Sequence, residues 1–390
     1  MKKKSSLLKQ KSRAKKGNIN LSSRHPLVSL AQFARLVFLP CLTRNKHKQP
    51  ITVTAHKKRD RQHFLLRPVF FTILVLLMLA CYLSLRFGAI NYSNDQLLHV
   101  IKAPLQNSAS QDIIFDLRLP RLFAAILVGA AMAQAGAIMQ GVTRNPIADP
   151  GLLGINAGAG LALIVGYACW GSLHYSLILL LCLLGSLLAA LLVLGLSYRP
   201  RKGYHPIRLI LSGAMVATLC SALGQAITLY FHLETNVIGW QAGGFSQINW
   251  KMLAIVSPFM ISGFLLALLF AHQLTILSLN ETVSKSLGQK TNTVSFVLLG
   301  IVILLSAGAV ALVGSIAFIG LIIPHFIRVF IVRDYRYLLP FTALAGATFM
   351  IYVDLLSRTL NPPMEVPISA LVSIAGLPCF LWLIRRGSNL

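Results

Sequence analysis

YSLILLLCLLGSLLAALLVL, residues 175–194, contains no charged side chain. A bilayer's hydrocarbon core is about 30 Å thick, and a helix rising about 1.5 Å per residue crosses it with roughly 20 apolar residues. The stretch is long and apolar enough to cross as one helix, which extends to about residue 197. Working outward, nine further stretches have the same character: about 67–87, 121–140, 151–171, 208–231, 252–273, 294–313, 315–332, 338–356 and 367–385. Gly314-Ser315 separates two of them by almost nothing. Ten such stretches leave too little surface to dissolve them in water. The fold class read from them is an all-α integral membrane protein of ten transmembrane helices.

The chain is 56% hydrophobic and 12% charged, about half the charge of a soluble globular protein, which excludes a disordered chain and most soluble enzymes. Lys and Arg number 36 against 10 Asp and Glu. Half of the basic residues fall in residues 1–67, where Asp60 is the one acid. The chain divides into a basic arm, 1–66, expected to be disordered or held on anionic lipid, and an apolar body, 67–390. With a cytoplasmic N-terminus, the inner segments of the body carry twice as many Lys and Arg as the outer ones. Both termini are therefore expected in the cytoplasm. The six cysteines are scattered, with neither a CxxC nor a metal-like spacing, and read as packing residues.

Intramembrane ionisable groups usually mark ion or proton paths, and these spans hold few. Asp354, near the end of the ninth span, is the main acid within reach of the bilayer and is placed to pair with Arg358 one helical turn on. That argues against an ion-coupled secondary transporter. No GxxxxGK[ST] loop, HExxH or nucleophile elbow occurs, so no ATPase, metallohydrolase or intramembrane enzyme site can be assembled. No catalytic residue, metal site or cofactor is expected, and nothing points to nucleic acid. Small residues are dense instead. Gly129, Ala133 and Ala137 repeat every four residues with Gly136 beside them, and Gly154, Gly158 and Gly160 follow, a spacing that lets helix backbones approach closely in lipid.

Four blocks go beyond composition. They are Arg118-Leu-Pro-Arg121; Gln140 to Ile155 with Arg144-Asn145-Pro146-Ile-Ala-Asp149-Pro150 at its centre; Gly314 to Arg328 with Pro324-His325; and Val366-Pro367 followed by Gly376-Leu-Pro378. In this order they resemble the ATP-binding-cassette (ABC) importer permeases for iron–siderophore complexes, haem and vitamin B12. The resemblance covers the body and excludes the arm. Three of this chain's residues depart from the family's common pattern: Ala135, Ile147 and Ser369.

The resemblance implies ten transmembrane helices per subunit, a second permease subunit, identical or paralogous, two cytoplasmic ATPase subunits beneath and a periplasmic or lipid-anchored binding protein above. The membrane would be the bacterial cytoplasmic (inner) membrane, with its lipids around the body. Arg118, Arg121 and Arg358 would be exposed guanidiniums at the outer mouth, suited to bidentate pairing with a binding protein's carboxylates, unless they snorkel to lipid headgroups. The loop holding Asn280, Glu281, Lys285, Leu287 and Gly288 would form the coupling helices that seat in the ATPase, with Gly288 turning between two of them. The Arg144-Asn145-Pro146 turn reads as a structural linker, and Pro324-His325 as an interruption of the eighth span. Gln225, Thr228 and Tyr230 would face the pathway or line a helix contact. The expected cargo is a ferric siderophore, with haem or cobalamin as alternatives, and the chain itself is expected not to be an enzyme.

Overall fold

The computed structural model describes residues 51–88, 90–97, 109–199, 203–204, 206–331, 334–362 and 364–387. Residues 1–50 of the basic arm lie outside them. So do Lys102, Arg201, Lys202 and Arg333 of the orientation argument.

Among the described residues, thirteen α-helices of six residues or more follow in chain order. They are α1 Ile51–Arg86, α2 Leu119–Thr143, α3 Ile155–Trp170, α4 Tyr175–Ser197, α5 Pro206–Phe231, α6 Glu234–Ala242, α7 Trp250–Leu269, α8 Ala271–Leu277, α9 Glu281–Ser286, α10 Thr291–Val313, α11 Ile319–Phe330, α12 Tyr335–Thr359 and α13 Ile368–Gly387. A π-helical turn, Ile113–Arg118, leads into α2, and a 3-10 turn, Pro150–Leu153, into α3. Between α4 and α5 a two-stranded ribbon pairs β1, Tyr198–Arg199, with β2, Gly203–Tyr204.

Among the described residues, seven helices are long and apolar enough to cross a membrane, and three more apolar segments lie in α3, α11 and the first part of α13. All ten fall on the stretches read from the sequence, but α3 and α11, at 16 and 12 residues, do not have full spanning length. The eighth shows why. Its stretch is broken at residues 314–318, where Gly314 and Phe318 adopt φ of 84° and 69°, so only twelve residues remain for α11. The interruption lies ahead of the helix and not at Pro324-His325, as the sequence had suggested. Pro324 lacks the N–H that would bond to the Gly320 carbonyl four residues back. Gln140 Nε2, reaching over from α2, donates to that carbonyl at 3.1 Å. A buried side-chain amide thus takes the place of the missing backbone donor, and the helix continues through its proline.

Helix α2 is the centre of the body and packs against α10, α11 and α12. Its alanines and glycines allow main chain to meet main chain. A β-carbon at Gly129 would overlap the Gly346 carbonyl of α12, and one at Gly136 would overlap Gly320 of α11. In α3 and α4, Gly158 and Gly185 face each other in the same way. Without a hydrophobic effect between helices in lipid, such close packing is what holds them together.

Candidate functional sites at the two ends of helix α2

At the start of α2, three arginines converge with two carboxylates. Arg121 Nε donates to Asp354 Oδ1 at 2.7 Å, and its Nη1 and Nη2 grip Glu365 Oε1 and Oε2 at 2.6 and 2.9 Å, a two-pronged fork. Arg358 Nη2 lies 3.1 Å from Asp354 Oδ2 and donates to Ser84 Oγ at 2.8 Å. Arg118 donates to the carbonyls of Leu85 and Ile90 and lies over the Tyr92 ring, 4.6 Å from its centroid. Glu365 reaches Arg121 because Ser357 Oγ donates to the Val366 carbonyl and Val366 N to the Ser357 carbonyl, closing the loop between α12 and α13. The cluster therefore ties the end of α1, the start of α2, α12 and that loop into one corner.

The expectation of exposed guanidiniums is corrected here. Arg118, Arg121 and Arg358 are only 6%, 8% and 7% exposed. A buried cation is tolerated only when paired and hydrogen-bonded, and these have found Asp354, Glu365, Ser84 and backbone carbonyls. The Asp354–Arg358 pair read from the sequence is present. Glu365 is the residue that reading missed as a partner, since it lies 244 positions from Arg121. Three guanidiniums against two carboxylates leave the corner one positive charge in excess.

At the other end, α2 closes in a Schellman-type stop. Arg144 N bonds the Gly141 carbonyl and Asn145 N the Gln140 carbonyl, with Arg144 left-handed at φ 52°. The turn then fixes itself: Ile147 N donates to Asn145 Oδ1 at 3.0 Å, and Gly151 N to Asp149 Oδ2 at 2.9 Å. Asp149 caps the 3-10 turn and presses its other oxygen toward Gly320. Burial pushes this carboxyl up to about 6, and the Gly151 N–H pulls it partly back.

Beside that turn lies the polar segment between α8 and α10. The sequence predicted a short helix there, and α9, Glu281–Ser286, forms it. Asn280 precedes it, Lys285 Nζ donates to Glu281 Oε1 at 2.6 Å, and Leu287 is 62% exposed. Gly288 stands at φ 76° with open space where a β-carbon would stand, turning the chain from α9 into the long α10 rather than into another short helix. The segment is secured through carbonyls of α8: Gln289 Nε2 donates to Gln273 O and Ser284 Oγ to Ile276 O, both at 2.7 Å. Arg144 Nε donates to Leu277 O at 2.9 Å, and its Nη1 lies 3.9 Å from Glu281 Oε2.

A cavity of about 730 Å³ opens between α3, α5 and α6. Gln225 and Thr228 line it, together with Asn156, Ser221, Glu234 and Gln241. Tyr230 does not join them. It is 79% exposed and stacks edge-on against Phe231, because two residues past Thr228 the helix has turned it to another face.

The model of the FecCD transport family matches residues 76–386. The iron(3+)-hydroxamate import system permease protein FhuB of Bacillus subtilis is 37% identical over 313 residues, 80% of this chain and 82% of that protein. The ferric enterobactin transport system permease protein FepD of Escherichia coli and the hemin transport system permease protein HmuU of Yersinia pestis are each 36% identical over 80% of this chain and 94% of their own. A solved chain described as an inward-facing metal-chelate type ABC transporter superposes with a TM-score of 0.72 at 29% identity, covering 82% of this chain and 99% of that one.

Proposed function

The chain belongs to the FecCD transport family and is a permease subunit of an ABC importer, and from that premise we propose that it carries a ferric siderophore inward across a bacterial cytoplasmic membrane. The ten apolar helices are read as ten crossings with both ends in the cytoplasm, the Arg121 end of α2 facing out and the Arg144 end facing in. In this reading the α9 segment seats in a separate ATPase subunit, a second permease subunit completes the conduit, and a binding protein delivers cargo at the outer mouth. The relatives named for hydroxamate and enterobactin iron support a siderophore cargo. The relative named for hemin keeps haem as the alternative, with cobalamin behind it.

The observation that carries the reading is the α9 segment. A six-residue polar helix is bolted through side-chain hydrogen bonds to the end of α8, with Leu287 and Gly288 left outward, as a docking element requires. At the outer corner the arginines are already engaged, so docking of an acidic partner draws on the one positive charge in excess, against the repulsion of the partly exposed Glu365. The cavity bearing Gln225 and Thr228 is assigned to the conduit. Ion coupling is disfavoured because Asp354, the buried carboxylate of α12, is already held by two guanidiniums.

Reconstitution tests this. Vesicles holding the permease with its ATPase and binding protein should accumulate ferric hydroxamate only with ATP inside. Accumulation by the permease alone under an ion gradient would overturn the reading.

A further inference from the structure

We propose that Arg144 is a positioning residue that fastens the inner end of α2 to the coupling segment, so that the two move as one body. The inference rests on the reading of residues 278–290 as the ATPase-coupling segment.

The first observation is conformational. Arg144 occupies the left-handed stop of a Schellman turn, where glycine fits without strain and a non-glycine residue is uncommon. Among the described residues two other non-glycine positions share a positive φ, His232 and Phe318. Glycine would end α2 equally well, so the guanidinium must supply something that offsets the backbone cost. The second observation shows what. Its Nε donates to the Leu277 carbonyl, one of the unpaired acceptors at the C-terminus of α8, where a cation also suits the helix dipole. Its Nη1 faces Glu281, in the first turn of α9. One side chain thus touches the helix before the segment and the helix inside it.

The third observation is that both bodies it joins are stiff. On the α2 side, a β-carbon at Gly141 would come within 2.6 Å of Leu274 Cδ1 and 2.7 Å of the Tyr335 hydroxyl, so α2, α8 and α12 meet without slack there. On the other side, Ser284 and Gln289 bind the segment to α8. What remains between turn and segment is a seam, and Arg144 is the polar side chain that crosses it. Movement of α2 then reaches α9 through this contact as well as through packing.

Three variants separate positioning from mere stability. Arg144→Gly removes the guanidinium and the strain together, Arg144→Ala removes only the guanidinium, and Arg144→Lys keeps charge without the fork. Hydrogen exchange on the purified permease needs no ATPase. Amides of residues 278–290 should exchange about fivefold faster in the Gly and Ala variants, corresponding to one lost hydrogen bond. The melting temperature of the Gly variant should equal or exceed that of the Ala variant. In the assembled importer, solute moved per ATP hydrolysed should fall several-fold in both, with partial recovery in Arg144→Lys. Unchanged exchange in the segment of Arg144→Gly overturns the proposal. So does faster exchange with an unchanged ratio of transport to hydrolysis. Failure of the underlying reading is a different result: the unaltered permease would give no ATP-dependent transport with its ATPase present.

Discussion

The two ends of α2 are held by arginines in opposite styles. At the Arg121 end the guanidiniums are nearly excluded from solvent and share two carboxylates, a serine hydroxyl and three backbone carbonyls. At the Arg144 end a single guanidinium, about a third exposed, makes one hydrogen bond and one ion pair at 3.9 Å. Buried charge is costly to break, whereas an exposed pair is worth at most about 1 kcal/mol. The difference teaches that one end of the rod is anchored and the other is only fastened. An element that must transmit movement needs both.

The comparison breaks most visibly at Asp354. Asp354→Ala leaves Arg358 buried without a carboxylate and Arg121 with Glu365 alone, and removal of one partner from a buried pair costs about 3–5 kcal/mol. The purified variant should melt far below the parent or fail to accumulate. A melting temperature within a degree or two would show that the corner is solvated. Midway along the rod, Gly136→Ala forces α2 from α11, with a cost of about 1–3 kcal/mol typical of overpacking, readable as a lower detergent melting temperature.

At the fastened end the effects shrink. Asp149→Asn keeps the cap and removes a carboxyl raised to about 6. A raised carboxyl favours the folded state at low pH, and that contribution is lost as pH climbs from the unfolded value near 4 through about 6. The melting temperature of the parent relative to Asp149→Asn should therefore drop between about pH 4 and pH 7 and then level off. An unchanging difference would refute the buried carboxyl. Glu281→Gln should move stability least, by about 0–1 kcal/mol, since both of its ion pairs are largely in water. Any larger loss would mean that the fastening is stronger than its geometry.

Much of this was legible in the residues themselves. Long apolar stretches marked every long helix, since a helix that crosses hydrocarbon needs about 20 apolar residues. Gly129, Gly136 and Gly158 marked backbone contacts, because small residues every four positions have no other use in a helix. Asp354 and Arg358 are neighbours on one helix, and so is the Glu281–Lys285 pair of α9. Burial of Arg121 was not legible, because it depends on Asp354 and Glu365 arriving from more than 230 positions away, nor was that of Arg118, which depends on the Leu85 and Ile90 carbonyls folding back over it. Nor was the length of α11. Its stretch is apolar throughout, and what ends it is left-handed backbone at Gly314 and Phe318, which hydropathy does not record. Arg144 was read as part of a structural linker, since its reach to Leu277 depends on folding.

Gln140 and Pro324 stand on different helices, yet one completes what the other lacks. Alanine at position 324 would bring back a main-chain donor for Gly320, and the amide from α2 would then be a second donor to an acceptor already served. Loss of Gln140 should accordingly be tolerated better in that background than beside the proline. The two sites form an epistatic pair, free to drift together and penalised when only the glutamine changes.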